Sequence, residues 1–302
     1  MSRETTKSVW PMRSATVWWG AGRDYWTLTK PEVNFLVLIS TLAGFYLASQ
    51  GPVDLKLLFH TLAGTLLVAS GTATLNQYLE REVDARMRRT ANRPLPLGRV
   101  SPAGALGFGV FISVAGGLYL ALVVNPLASF LALFTLATYL LVYTPLKSKS
   151  PWCTFIGAFP GAMPPLIGWA AVRGSLSLEA WVLYAMLFLW QFPHFLSIAW
   201  MYREDYARAG LLMLPEGDRD GRVTGRQVLA YSLALLPVSL LPTLTGLVGP
   251  IYFVGALLMG VVFLNYGVRL ALSRTNALTK RLLMASVIYL PVVFALMMLD
   301  KV

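Results

Sequence analysis

The chain has 302 residues, 56% of them apolar and only 13% charged, with a mean hydropathy of +0.62. Soluble domains carry roughly 25% charged residues, so this chain cannot clothe itself in a polar surface, which excludes a soluble globular class. The net charge of +11 follows from where basic residues sit relative to a membrane, with no nucleic-acid partner required.

Residues 1–32 hold Arg3, Lys7, Arg13, Arg23 and Lys30, without an apolar core and small-residue cleavage site, so no signal peptide is expected. They read as a cytoplasmic segment along the membrane surface, with Trp10, Trp18, Trp19 and Trp26 near headgroup level. Residues 33–302 form one transmembrane domain. Apolar stretches near 33–49, 57–79, 102–123, 127–146, 152–172, 178–200, 226–247, 250–271 and 281–299 are each long enough to span, at about 20 residues. The predicted class is all-α: a polytopic membrane protein, a single bundle of nine helices. Asn125-Pro126 and Gly249-Pro250 make tight hairpins of spans three and four and of seven and eight. The fifth span holds Gly157, Pro160, Gly161, Pro164, Pro165 and Gly168, which bend or break a helix; a membrane tolerates this only where protein or a polar cavity shields the backbone. The single cysteine, Cys153, excludes an internal disulfide and reads as a packing residue.

Nine spans place every Lys and Arg on the amino-terminal face except Lys56, Arg173 and Lys301. Such a split predicts a cytoplasmic amino terminus and a carboxyl terminus on the far side.

The second span closes with Asn76, Glu80 and Asp84, spaced by four. On a helix they stack along one face, about 6 Å apart along the axis. Arg86, Arg88, Arg89 and Arg93 follow at once, and a second acid pair, Glu204 and Asp205, ends span six on the same face. Acids at a helix carboxyl end oppose the helix dipole, so two such clusters among arginines point to a shared site. Oxygen ligands beside guanidinium groups suit Mg²⁺ held together with a diphosphate. Such a set stabilises diphosphate as a leaving group, and a pocket at lipid depth would hold an isoprenoid tail away from water.

The Asn76-Glu80-Asp84 spacing resembles the Asn-x-x-x-Asp/Glu-x-x-x-Asp signature of UbiA-type intramembrane prenyltransferases, and Tyr143-Thr-Pro-Leu-Lys147 is similar to their Tyr-x-x-x-Lys motif. Within that superfamily the chain looks most like the protohaem IX farnesyltransferases (haem O synthases). The stretches that carry this are LTKPEVNFLVL from Leu28, ARMRRTANRPLP from Ala85, IGAFPGAMPPLIGW from Ile156, WQFPHF from Trp190 and REDYARAGLLMLP from Arg203. The last three spans match only in general character. The resemblance implies transfer of the farnesyl group of farnesyl diphosphate to a vinyl group of protohaem, in a cell inner membrane, with a partner in haem A biosynthesis. It implies that Asn76, Glu80, Asp84 and Asp205 serve Mg²⁺ and diphosphate. Arg89, Arg93 and Lys147 would bind diphosphate oxygens, and Tyr143 would lie near the reacting carbon. His194, in WQFPHF, would contact the haem, whereas His60 reads as an interfacial residue near the opposite face. The family usually has Arg where this chain has Glu32, and often a second basic residue where it has Ser148. The glycines of span five would let a flat acceptor approach the backbone.

Two other readings account for part of the same pattern. A prenyltransferase with an aromatic or quinone-precursor acceptor would share the diphosphate residues but not WQFPHF or Met163-Pro-Pro. A secondary transporter would use a broken helix such as span five, but places its ionisable residues near the midplane rather than at helix ends.

Overall fold

The computed structural model describes residues 18–215 and 217–302, without the side chains of 18, 19 and 21. The surface-lying tail expected for residues 1–17, with Trp10, lies outside the described residues, as do the side chains of Trp18 and Trp19.

Among the described residues nine helical spans are long and apolar enough to cross a membrane. A short helix α1 (Trp18–Leu28) leads into α2 (Pro31–Ala48), α3 (Leu55–Asp84), α4 (Pro102–Val124) and α5 (Pro126–Leu146). The fifth span is two half-helices, α6 (Cys153–Gly161) and α7 (Pro164–Arg173). It is followed by α8 (Leu178–Met201), the seven-residue α9 (Arg203–Ala209), α10 (Arg222–Leu244), α11 (Pro250–Ser273) and α12 (Asn276–Leu299). The chain is a multi-pass membrane protein.

Local chemistry sets many of the starts. Asp54, Ser101, Asn125 and Thr275 each cap a helix by accepting a backbone N–H three residues on. Proline occupies the first turn of α2, α4, α5, α7 and α11, where its missing N–H costs nothing. The expected break in span five falls at Ala162–Met163. The Gln191 side chain repairs part of the damage, its amide nitrogen donating to Ala158 O at 3.1 Å.

The main pairings are α3 with α4, α2 with α7, α8 with α10 and α12, and α11 with α10 and α12; contact of α12 with α2 closes the ring. In a bilayer, helix association rests on close packing, which small residues permit. The tightest case is the α2–α7 crossing, where a Cβ on Gly44 would stand 2.1 Å from Pro165 O and one on Gly168 would stand 2.0 Å from Thr41 O. The glycines expected to admit a flat ligand are therefore filled by protein: Gly168 by the α2 backbone, Gly161 by Gln191 and Gly157 by the Tyr143 ring.

Candidate active site

Helix α3 runs five residues past the predicted end of its span, and that extension carries the acids. The first half of the site forms where α3 meets the start of α2 and the end of α5. Asn76, 1% exposed, accepts at Oδ1 from the Lys30 ammonium (2.8 Å) and donates from Nδ2 to Thr144 Oγ1 (3.2 Å). One turn on, Glu80 Oε1 pairs with Lys147 Nζ at 2.7 Å. The Lys147 ammonium also stands 4.5 Å from the centroid of the Tyr143 ring. That ring is seated against Gly157, at the end of a wide π-turn over Tyr139–Tyr143. Such turns re-aim side chains and recur at functional sites.

Lys30 was visible in the sequence only as one basic residue of the amino-terminal segment. Its backbone takes the left-handed conformation at φ 51°, a strain of order 1 kcal/mol for a residue with a side chain. Burial, and then nearby Arg93, pull its ammonium pKa down to about 7. Burial alone would lower Lys147 too, but the neighbouring Tyr143 and the Glu80 carboxylate outweigh it and hold Lys147 well above its ordinary value. The signal for Lys30 was its place before the helix-starting Pro31; its partner Asn76 is 46 residues away.

The second half joins the end of α3 to α9. Asp84, 1% exposed, accepts from Arg93 at 2.6 Å, and its backbone carbonyl accepts from Thr90 Oγ1 at 2.8 Å. These contacts fold residues 85–93 back over the helix end. The loop then presents the Arg89 backbone N–H to Asp205 Oδ2 (3.3 Å), while Arg208 pairs with Asp205 Oδ1 at 2.9 Å. The Arg89 guanidinium reaches the Tyr206 hydroxyl at 3.5 Å and lies over the Tyr202 ring. Leu212 N donates to Lys147 O at 2.7 Å and ties the segment after α9 to the first half.

Asn76, Glu80, Asp84, Arg89, Arg93, Tyr143, Lys147 and Asp205 thus gather at neighbouring helix ends on one face. Among the described residues no three of His, Cys, Asp and Glu form a group able to hold a metal by themselves. Each carboxylate is met by a cation instead. The donor set still suits a hard divalent ion shared with substrate phosphates, because such an ion needs only one or two carboxylates from the protein. Glu80 and Asp84 each use one oxygen toward their cation, which leaves the other for such an ion.

His194 lies elsewhere. Its Nδ1 bonds Ser286 Oγ on α12 at 2.8 Å, and its ring stacks on Trp190, whose indole donates to Ser286 O. Glu32 is exposed in the first turn of α2, and Ser148 is exposed with its hydroxyl on Pro145 O, so neither departure enters the paired set. His60 bonds the Tyr119 hydroxyl, and Cys153 is buried against Leu212 O and Met213.

The sequence profile described as the UbiA prenyltransferase family matches residues 37–290. The chain belongs to that family. It is a prenyltransferase, and the clustered acids and cations are the kind of site such an enzyme needs for a diphosphate leaving group. The chain is 54% identical over 288 residues to the "Protoheme IX farnesyltransferase" of Solibacter usitatus, covering 92% of this chain and 99% of that one. It is 41% identical over 281 residues to the protein of that name from Aquifex aeolicus, covering 93% and 96%. In fold it is similar to a digeranylgeranylglyceryl phosphate synthase, with a TM-score of 0.77 at 17% identity over 93% of this chain and 98% of that one. A UbiA homologue from Archaeoglobus fulgidus, solved with GPP and Mg²⁺, has a TM-score of 0.62 at 15% identity, covering 91% and 99%.

Proposed function

We propose that this prenyltransferase takes the farnesyl group of farnesyl diphosphate and joins it to a vinyl group of protohaem IX, with addition of water, giving haem O and diphosphate. The observation that carries the choice of substrates is the 54% identity, over nearly the whole chain, to a relative bearing that name. The geometry accounts for the leaving group. Arg89, Arg93, Lys147 and Arg208, with Lys30 beside them, outnumber Glu80, Asp84 and Asp205, so the site favours an anion. Arg93 and Lys147 are held in place by their carboxylates before substrate arrives, so little reorganisation is needed as charge develops on the diphosphate. Tyr143, held between Lys147 and Gly157, would be the aromatic ring near the allylic carbon as positive charge grows there.

Asn76, Glu80, Asp84 and Asp205 would hold Mg²⁺ against the diphosphate. When bound, that ion supplies Lewis-acid neutralisation of the leaving group. His194 is proposed for the acceptor side: its Nδ1 is committed to Ser286, and Nε2 is the atom left to meet haem. The charge split supports an orientation with the site facing the cytoplasm, in a cell inner membrane, and the carboxyl terminus on the far side. A partner in haem A biosynthesis, taking up haem O, belongs to the same reading. The test is to incubate the solubilised protein with protohaem, farnesyl diphosphate and Mg²⁺ and analyse the porphyrins by mass. Haem O is expected; unchanged protohaem beside a prenylated aromatic acceptor supplied in the same mixture would replace this reading with the quinone-precursor one.

A further inference from the structure

Helices α11 and α12 enclose a groove of about 630 Å³ that the prenyl-transfer site does not use. Its floor is the buried pair Phe263 and Tyr289, with ring centroids 5.1 Å apart. Its walls include the exposed side chains of Val262, Met284 and Ile288, and Lys280 and Arg281 stand at its end on the face shared with the site. From Ala277 to Ile288 the groove follows twelve residues of helix, eleven rises or about 16 Å at 1.5 Å per residue. One leaflet of hydrocarbon is about 15 Å thick, half of the ~30 Å core. The groove is therefore about one leaflet long, cationic over its first turn at Lys280 and Arg281 and apolar beyond it.

Among the described residues no acid pairs with the charge at that end. From Arg222 to Leu299 the sequence contains Arg222, Arg226, Arg269, Arg274, Lys280 and Arg281 and not one Asp or Glu. Of the described acids just before this stretch, Asp220 pairs with Arg222 at 3.3 Å, and Asp218 caps α10 through Val223 N and Thr224 N. Among the described residues Lys280 and Arg281 are exposed and have no ion-pair partner.

We propose that the α11–α12 groove is a site for one anionic phospholipid of the site-face leaflet, an acyl chain along the groove and the phosphate between Lys280 and Arg281. Basic residues at helix ends favour this face of a membrane in any case; the groove turns that general bias into a seat for one molecule. The experiment is native mass spectrometry of the detergent-purified protein with equal phosphatidylglycerol and phosphatidylcholine of the same chains. One phosphatidylglycerol is expected to be retained in preference. Lys280→Gln with Arg281→Gln should weaken that preference roughly 30-fold, from two basic groups near the headgroup. Arg226→Gln, which removes a charge outside the groove, should leave it intact. Ala285→Phe, which fills the groove, should reduce retention of both lipids. Equal retention of the two lipids by the unmodified protein, or equal loss in the Arg226→Gln control, would overturn the proposal. So would a dimer that Ala285→Phe dissociates, since that would give the groove to a second copy.

Discussion

The first six spans and the last three are built to different ends. In the most apolar stretch of each span, 67% and 61% of the residues are buried in the fifth and sixth, 44% in the first two, 33% in the third and fourth, and 28%, 28% and 39% in the last three, so the contrast lies chiefly between spans five and six and the rest. The acids of the candidate site, Glu80, Asp84 and Asp205, belong to the first group and are set at helix ends, each against a cation. The last three spans hold no acid between Arg222 and Leu299; they pack through buried apolar side chains and make polar contacts through hydroxyls, as where Ser239 meets Tyr289 at 2.7 Å. A reacting centre needs fixed positions, and these come from backbones packed too closely to shift. A lipid-facing flank needs only enough contact to stay attached.

The largest expected effect follows from breaking the first group at its acids. Asp84→Asn and Asp205→Asn should each lower turnover by about 100-fold or more, the scale for losing a preorganised charged contact at a developing anion. Membrane insertion should be unchanged, and chelation of divalent cations should reproduce the loss in the unmodified protein. Full activity in EDTA would remove Mg²⁺ from the account.

Next in size is the separation of donor from acceptor. Lys147→Ala should weaken farnesyl diphosphate binding roughly 10- to 100-fold, as expected for a charged hydrogen bond, and leave haem binding nearly unchanged. His194→Ala should do the opposite, followed by haem absorbance and by calorimetry. If His194→Ala leaves haem binding and turnover at full level, the histidine serves only to join α8 to α12 through Ser286.

The crossing of α2 and α7 sharpens the contrast through stability. Gly44→Val would drive side-chain atoms into the Pro165 carbonyl and should cost about 1–3 kcal/mol or more, seen as a lower thermal midpoint in detergent. Gly260→Val on α11, where the nearest atom is Leu236 Cγ at 3.3 Å, a side chain rather than backbone, should cost less. Equal losses would mean that the two groups are packed alike.

Much of this was legible in the sequence because a bilayer imposes length and composition on every span. All nine spans, the hairpin at Asn125-Pro126 and the break in span five followed from apolar runs and proline. The i, i+4 stacking of Asn76, Glu80 and Asp84 was equally plain. What stayed hidden depends on contacts between distant residues. Lys30 meets Asn76 across 46 residues and Thr144 meets it across 68, and no local pattern marks either. The π-turn at Tyr139–Tyr143 has no composition of its own. The glycines of span five signalled close approach correctly, but sequence could not tell whether a ligand or another helix would come close, and it is protein that does. For His194 the sequence offers only the contact with haem that the resemblance implies, and its partner Ser286 lies 92 residues on.

On this reading diphosphate is held jointly by the ends of α3 and α9 and by no part of the last three spans. The most direct measurement is a calorimetric titration of farnesyl diphosphate with Mg²⁺ into three proteins: the unmodified chain, Asp205→Asn, and Lys280→Gln combined with Arg281→Gln. The expected result is binding weakened at least about tenfold by Asp205→Asn and unchanged by the α12 pair. Unchanged binding in Asp205→Asn, or a loss in the α12 variant of the same size, would contradict it.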